Sequence, residues 1–159
     1  MPVEFHDYSI QVKDAMDDAV IAFLHEAGSE LMSQAQRKTK RRSGKTAGAW
    51  KYVVDEADLK ATVGNTEENA IWEEMGTGEY ALEGKGRKGG WHILIGEGEG
   101  KISQQDVDAY HMPVKYGKDG KKYAYTTGKK PKRMLHSAFV ENKAKIIRRA
   151  EAILKGRLD

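Results

Sequence analysis

Residues 12–38 read VKDAMDDAVIAFLHEAGSELMSQAQRK, and this stretch decides the fold. Val12, Met16, Val20, Phe23, Leu24, Ala27, Leu31 and Ala35 recur at spacings of three and four, which places them on one face of a helix. Asp14, Asp17 and Asp18 stand toward its start and Arg37 and Lys38 toward its end, signs that match the helix dipole. Gly28 weakens this helix without breaking it. A second helix is predicted over 132–157, after Pro131. There Leu135, Ala138, Phe139, Asn142, Ile146, Ala150, Ile153 and Leu154 share one stripe, with Asn142 its one polar member.

Between the helices the pattern changes. Ala49 to Val54 alternates around aromatic and β-branched residues, as a half-buried strand does, and Leu59 to Gly64 reads as its hairpin partner across an Asp55–Asp58 turn. Asn69 to Met75 is a short apolar run that periodicity leaves open between strand and helical turn. Residues 76–90 hold six of the seventeen glycines, with Lys85, Arg87 and Lys88 among them, and read as a flexible basic loop. Trp91 to Ile95 is a strand candidate. Val114 to Tyr116 and Lys122 to Thr126 read as a hairpin around Gly117 to Gly120. Lys101 to Met112 is ambiguous, with room for a helical turn. Helix, strands, helix is an α+β order: an antiparallel sheet packed against two long helices, with a Gly-rich loop and a hairpin extension, expected as a single domain over 1–159. Within it, 12–38 is helix, 49–127 mainly β with the loop at 76–90, and 132–157 helix.

Composition narrows the function. With 39% hydrophobic and 32% charged residues, the chain sits toward the polar end of globular proteins. It has no cysteine, so disulfide staples and cysteine-based metal sites are excluded. The opening MPVEFHDYSIQV has neither the basic start nor the apolar run of a secretory leader, and no stretch approaches the roughly 20 apolar residues of a membrane span. The net charge of +3 is unevenly spread. Arg37 to Lys45 has six basic residues in nine, whereas Asp55 to Glu79 holds eight acidic residues against Lys60 alone. Opposite patches on one small domain suit head-to-tail contacts between identical subunits.

Sites for chemistry fail one by one. Gly84 to Gly89 matches GxGxxG, but a dinucleotide site needs that motif to open a helix, and a strand-like run follows here. No phosphate-binding GxxxxGK[ST] loop occurs. His25-Glu26 begins like a zinc-protease helix, but Ser29 stands where the second histidine belongs. His6, His25, His92, His111 and His136 are scattered singly. No nucleophile with its base, no cofactor site and no metal site is expected.

Three segments carry a resemblance. Ser43-Gly44-Lys45-Thr46-Ala47-Gly48-Ala49-Trp50 is similar to a TG-x-L-x-x-S/W loop-to-strand segment. Asn69-Ala70-Ile71-Trp72-Glu73-Glu74-Met75-Gly76-Thr77-Gly78 is similar to Y-A-x-x-x-E-x-G-T-G. Lys130-Pro131-Lys132-Arg133-Met134-Leu135-His136-Ser137-Ala138-Phe139 resembles P-x-x-[FM]-[LM]-x-x-A-[FL], which opens a last helix. In this order they resemble the neck, head–tail joining and tail-completion proteins of lambda-like long-tailed bacteriophages. Ala49 and Asn69 stand where leucine and tyrosine are commoner, and 91–127 is longer than usual in that family.

The resemblance implies a non-enzymatic virion protein of the neck or tail end, assembled in the bacterial host cytoplasm. It implies a homo-oligomeric ring, a hexamer favoured over a dodecamer, with DNA crossing its channel. Its partners would be its own copies and the adjacent neck, tail-tube or head-completion proteins, with transient nonspecific DNA contact and no membrane. Trp72, Glu73, Glu74, Met75, Tyr80 and Trp91 are candidates for the subunit interface, where tryptophan is enriched. Arg37, Lys38, Lys40, Arg41, Arg42, Lys45, Lys85, Arg87 and Lys88 are candidates for facing the DNA lumen or an acidic neighbour. The Gly-rich segment suits an arm that orders on a neighbouring subunit. The alternative is a small basic protein binding nucleic acid without sequence preference, since a basic run lies next to Trp50 and Tyr52. A third reading is a small hydrolase with a site assembled from distant residues.

Overall fold

A computed structural model of the chain describes residues 9–39 and 44–158, with side chains for 13–39 and 44–156. The fold is α+β. Its contacts divide the chain into two compact units, Met1–Ala70 with Met134–Asp159, and Ile71–Arg133.

The first unit is built on α1 (Ser9–Lys38). It begins three residues before the expected start, so Asp14, Asp17 and Asp18 lie beyond its first turn, which holds no acidic residue. The dipole argument therefore applies only at the other end, where Arg37 and Lys38 occupy the last turn. The single-turn α2 (Lys45–Gly48) follows, with Ala47 buried. β1 (Trp50–Asp55) and β2 (Lys60–Asn65) form an antiparallel hairpin. The Asp55 carboxylate accepts from the Ala57 and Asp58 amides and so shapes the turn.

Strand periodicity assigns the hairpin's faces. Trp50, Tyr52, Val54, Ala61, Val63 and Asn65 are the more buried set, whereas Lys51, Val53, Asp55, Lys60, Thr62 and Gly64 are exposed. The inner set packs on α1. Gly28 is required there, because a Cβ would stand 2.7 Å from the Tyr52 ring. His25, one turn earlier, meets the same ring edge-on, with centroids 5.9 Å apart. The glycine that weakens the helix is what lets the sheet approach it.

The other long helix, α5 (Met134–Leu158), runs antiparallel along α1. Ala35, Trp50, Met134 and Ala138 make the buried core, with Met32, Val63 and Leu135 packed around it. Alanines at the crossing allow close helix approach, and Trp50 fills the space against the strands. Asn142, the polar member of the stripe, donates to the Ala138 carbonyl 2.8 Å away. Phe139 and Leu154, expected on the same buried stripe, are exposed instead. They lie at its margin and turn outward.

One polar group anchors this core. Thr39 is buried just past α1; its hydroxyl donates to the Ala35 carbonyl at 2.8 Å and accepts from the Trp50 indole N–H at 2.8 Å. The end of α1 and the start of β1 are thereby fixed together. Lys38 adds an ion pair to Glu141 of α5 at 2.7 Å. The second ion-pair pair, Glu30–Lys145 and Glu26–Arg149, lines a cleft of ≈ 550 Å³ between the helices. The Gln34 amide, with Lys145 adding to it, holds the Glu30 carboxyl below its ordinary range.

The second unit carries a three-stranded antiparallel sheet in the order β3-β5-β4, with β3 at Trp91–Leu94, β4 at Val114–Tyr116 and β5 at Lys122–Thr126. The expected hairpin is β4–β5, and β5 is central, pairing Trp91 with Thr126 on one side and Val114 with Ala124 on the other. Ala124 is fully buried. The ambiguous region contains α4 (Gln104–Ala109), capped by the Ser103 hydroxyl accepting from the Asp106 amide. The run left open at 69–75 is a helix, α3 (Asn69–Met75).

Replacing Thr39 by valine leaves the buried Trp50 indole N–H without its acceptor. T39V is expected to lower stability by about 2 kcal/mol. Adding W50F, which removes the donor, is expected to cost less in the T39V background than in the native chain. Urea unfolding of the four proteins in this cycle checks both.

Candidate functional site

Within the second unit, residues 73–79 meet residues 127–132. α3 ends where Gly76, at φ 75°, takes a left-handed conformation, with its amide still bonded to the Trp72 carbonyl at 3.0 Å. The chain then runs beside residues 127–132. The Thr77 amide donates to the Lys129 carbonyl at 2.9 Å, and the Lys129 amide returns a bond to the Thr77 hydroxyl at 2.9 Å. The Glu79 amide donates to Thr127 at 2.8 Å, and the Lys132 amide to the Glu73 carbonyl at 2.7 Å. Around Pro131, which has no amide hydrogen to offer, the pairing skips to its neighbours.

Charge closes this clasp. The Glu73 carboxylate takes the Lys129 ammonium on one oxygen and the Lys132 ammonium on the other. Its side chain is only 19% exposed, so the pairs are partly withdrawn from water and screened less than surface pairs. Glycine is needed where the two strands of the clasp touch. A Cβ on Gly78 would run into the Thr127 carbonyl and the Trp91 ring, and one on Gly128 into the Thr77 carbonyl. Both residues also have positive φ. The E-x-G-T-G pattern thus has a local physical meaning: a carboxylate for two lysines, a left-handed helix stop, a threonine that pairs across, and a residue without a side chain.

The Gly-rich segment beyond it is folded against its own unit rather than standing off as an arm. It forms two short 3-10 turns, Gly78–Tyr80 and Leu82–Gly84. The Glu79 carboxylate accepts from the Gly89 amide, and the Tyr125 hydroxyl donates to the Gly89 carbonyl. The GxGxxG match leads into β3, with no helix at its end.

The candidate interface residues separate into two kinds. Glu73 is spent inside the clasp, Glu74 is half-buried, and Trp91 is half-buried with the Arg87 guanidinium 5.5 Å above its ring. Trp72, at 56% exposure, faces solvent with Ile71 and Met75 on the outward side of α3, and Tyr80 is exposed with the Lys130 ammonium 5.7 Å over its ring. Cation–aromatic pairs recur in this unit, at Lys129 over Tyr110 and at Lys122 over Tyr116.

The basic candidates divide between the two units. Lys40, Arg41 and Arg42 lie outside the described residues. In the first unit Arg37 is exposed, Lys38 pairs with Glu141, and Lys45 lies 3.0 Å from Glu67. In the second, Lys85 lies 3.1 Å from Glu83, Arg87 covers Trp91, and Lys88 is exposed. Residues 71–133 contain twelve Lys and Arg against nine Asp and Glu, so the whole net charge of +3 lies there. Among the described residues no cluster of three His, Asp or Glu is placed to hold a metal, and no helix is long and apolar enough to cross a membrane.

Lys129, Lys132, Thr77 and Thr127 were not singled out from sequence as parts of this site. The adjacency of a basic, proline-containing segment to the start of the last helix was visible, but its tie to Glu73 spans 56 residues.

Glu73→Gln keeps the shape of the clasp and removes its charge, leaving two ammonium groups side by side. It is expected to cost about 1–2 kcal/mol, and Lys132→Met less. Hydrogen exchange at the Thr77, Glu79 and Lys129 amides is expected to accelerate in both variants, in that order of severity, and most of all in Gly78→Ala. Compared with known protein families, curated proteins and solved structures, the chain matches none.

Proposed function

We propose that the chain is a ring-forming structural subunit of the neck or tail terminus of a tailed bacteriophage, working through shape and binding rather than catalysis. The observation that carries this reading is the clasp. In the resembling segment 69–78, Glu73, Gly76, Thr77 and Gly78 each have a structural task in it, and Lys132 of the resembling segment 130–139 is one of the residues they hold.

The clasp also presents what an interface needs. It turns Glu73 inward and holds α3 so that Ile71, Trp72 and Met75 face out. Exposed tryptophan on a rigid helix is a strong anchor for a neighbouring subunit. A ring requires a heterologous contact, one patch on a subunit meeting a different patch on the next. In this reading the outward face of α3 is one of the two, the ring has six members, and Lys85, Arg87 and Lys88 face DNA or an acidic neighbour.

A second reading, nonspecific nucleic-acid binding by a lone subunit, is favoured by one observation. The unit holding the whole net positive charge also holds four aromatic rings with a cation over each. Backbone neutralisation with base stacking is the chemistry of single-strand binders.

Light scattering and electron microscopy of the purified chain distinguish the two. Closed rings of one symmetry are expected, and Trp72→Asp, at an exposed position, is expected to reduce the ring fraction at least tenfold while the circular dichroism spectrum stays native. A chain that stays monomeric at high concentration and binds oligonucleotides with an affinity falling steeply with salt would replace the ring reading by the second.

A further inference from the structure

α5 carries two apolar stripes, and among the described residues only one is used inside the chain. Ala138 is buried, and Leu135, Asn142, Ile146 and Ile153 are half-buried. On another side Phe139, Val140, Ile147 and Leu154 are 46%, 56%, 46% and 41% exposed. Val140, Ile147 and Leu154 are spaced seven residues apart, the repeat that keeps a seam on one side of a helix when another helix lies along it. We propose that this outer stripe binds the same stripe of a second copy of the chain, antiparallel, about a two-fold axis passing by Ile147.

Charge selects the partner and its direction. Lys143 and Glu151 stand four residues before and four residues after Ile147, both exposed, and among the described residues neither has an ion pair within the chain. In an antiparallel pair centred on Ile147, Val140 lies level with Leu154 of the second copy and Ile147 with its own equivalent. Lys143 then lies level with Glu151 of the second copy, and Glu151 with its Lys143. Both charges are satisfied twice by one symmetry operation. Ala144 and Ala150 occupy the next level, where small side chains allow the backbones to approach. A parallel pair would set Lys143 against Lys143 and Glu151 against Glu151, which repel. Of the two arginines beside Ile147, Arg149 is directed toward Glu26 of α1, and Arg148 donates to the Ala144 carbonyl at 3.3 Å.

The contact is isologous, so it pairs two subunits and stops. It therefore goes beyond the ring contact proposed above and does not depend on it. Where rings also form, it joins one ring to another.

The chain contains no cysteine, so single cysteines report the contact directly. Ile147→Cys lies on the axis and is expected to give a disulfide-linked dimer under copper–phenanthroline oxidation. Val140→Cys alone is expected not to couple, since its two copies stand about 20 Å apart along the pair at roughly 1.5 Å per residue. Mixed with Leu154→Cys, it is expected to couple. Lys143→Glu and Glu151→Lys are each expected to weaken the dimer about fivefold in sedimentation equilibrium, through two lost pairs, and the double exchange is expected to restore it. The same coupling in a Trp72→Asp background separates this contact from the ring. The proposal is overturned if Ile147→Cys yields no dimer, if Val140→Cys couples with itself as readily as Ile147→Cys, or if the double charge exchange binds no better than the single ones. Failure to dimerise together with capture of the stripe by a different virion protein would also overturn it.

Discussion

One carboxylate shared by two ammonium groups closes the second unit on itself. Between Glu73 and Lys129 lie all three strands of that unit's sheet and α4, so joining these residues converts a 56-residue excursion into a loop with fixed ends. Fixing the ends of such a loop costs entropy that grows only slowly with its length. The ionic pairs need not supply all of the compensation, because four backbone and threonine hydrogen bonds run alongside them. Each part depends on the others. The lysines reach Glu73 only because the backbones touch at Gly78 and Gly128, and the backbones touch only because those residues have no Cβ. Charge here fixes the register of two segments that lack the side-chain alternation by which a sheet would otherwise set it.

The first unit solves the analogous problem with a neutral hydrogen bond. A tryptophan large enough to fill the space between helix and hairpin brings an indole N–H into the core, and that group needs an acceptor. Thr39 provides one without introducing charge, and its own hydroxyl hydrogen goes to the Ala35 carbonyl, which also accepts the Thr39 amide. The arrangement terminates a helix, orients a core side chain and ties α1 to β1 across residues 39–49. Gly28 contributes the remaining tolerance, since the Tyr52 ring rests where any side chain would be.

Much of this fold was legible because its signals are local and repeated. The two long helices, the β1–β2 hairpin and the β4–β5 hairpin follow from periodicity over many residues, and their observed bounds differ from expectation by one to three residues at most ends. Asn69 to Met75 could not be resolved, since seven residues hold too few periods to separate helix from strand. The pairing of β3 with β5 was equally out of reach, because no turn joins them. The clasp shows the limit most sharply. Glu73 was picked out as an interface residue from the segregation of charge and the glycine-rich segment beside it; its carboxylate is held by two lysines of its own unit, and those lysines are identified only by three-dimensional proximity. Trp72 beside it, picked out with it, is turned toward water by the helix.

The exposed apolar groups sit on helices, and this bears on how strongly they bind. Ile71, Trp72 and Met75 on α3, and Val140, Ile147 and Leu154 on α5, hold fixed spacings before any partner arrives. Pre-ordered side chains give up little freedom on association, so even a small contact retains most of its favourable burial. A patch of three or four side chains is still too small to make a tight one-to-one complex on its own. Symmetry changes that arithmetic. In a closed ring every subunit makes the contact twice, and opening the ring requires breaking two contacts at once, each at an effective concentration set by its neighbours. Under the proposed reading, weak and rigid patches are therefore suited to their task, because individual contacts can rearrange during assembly while the closed ring does not come apart.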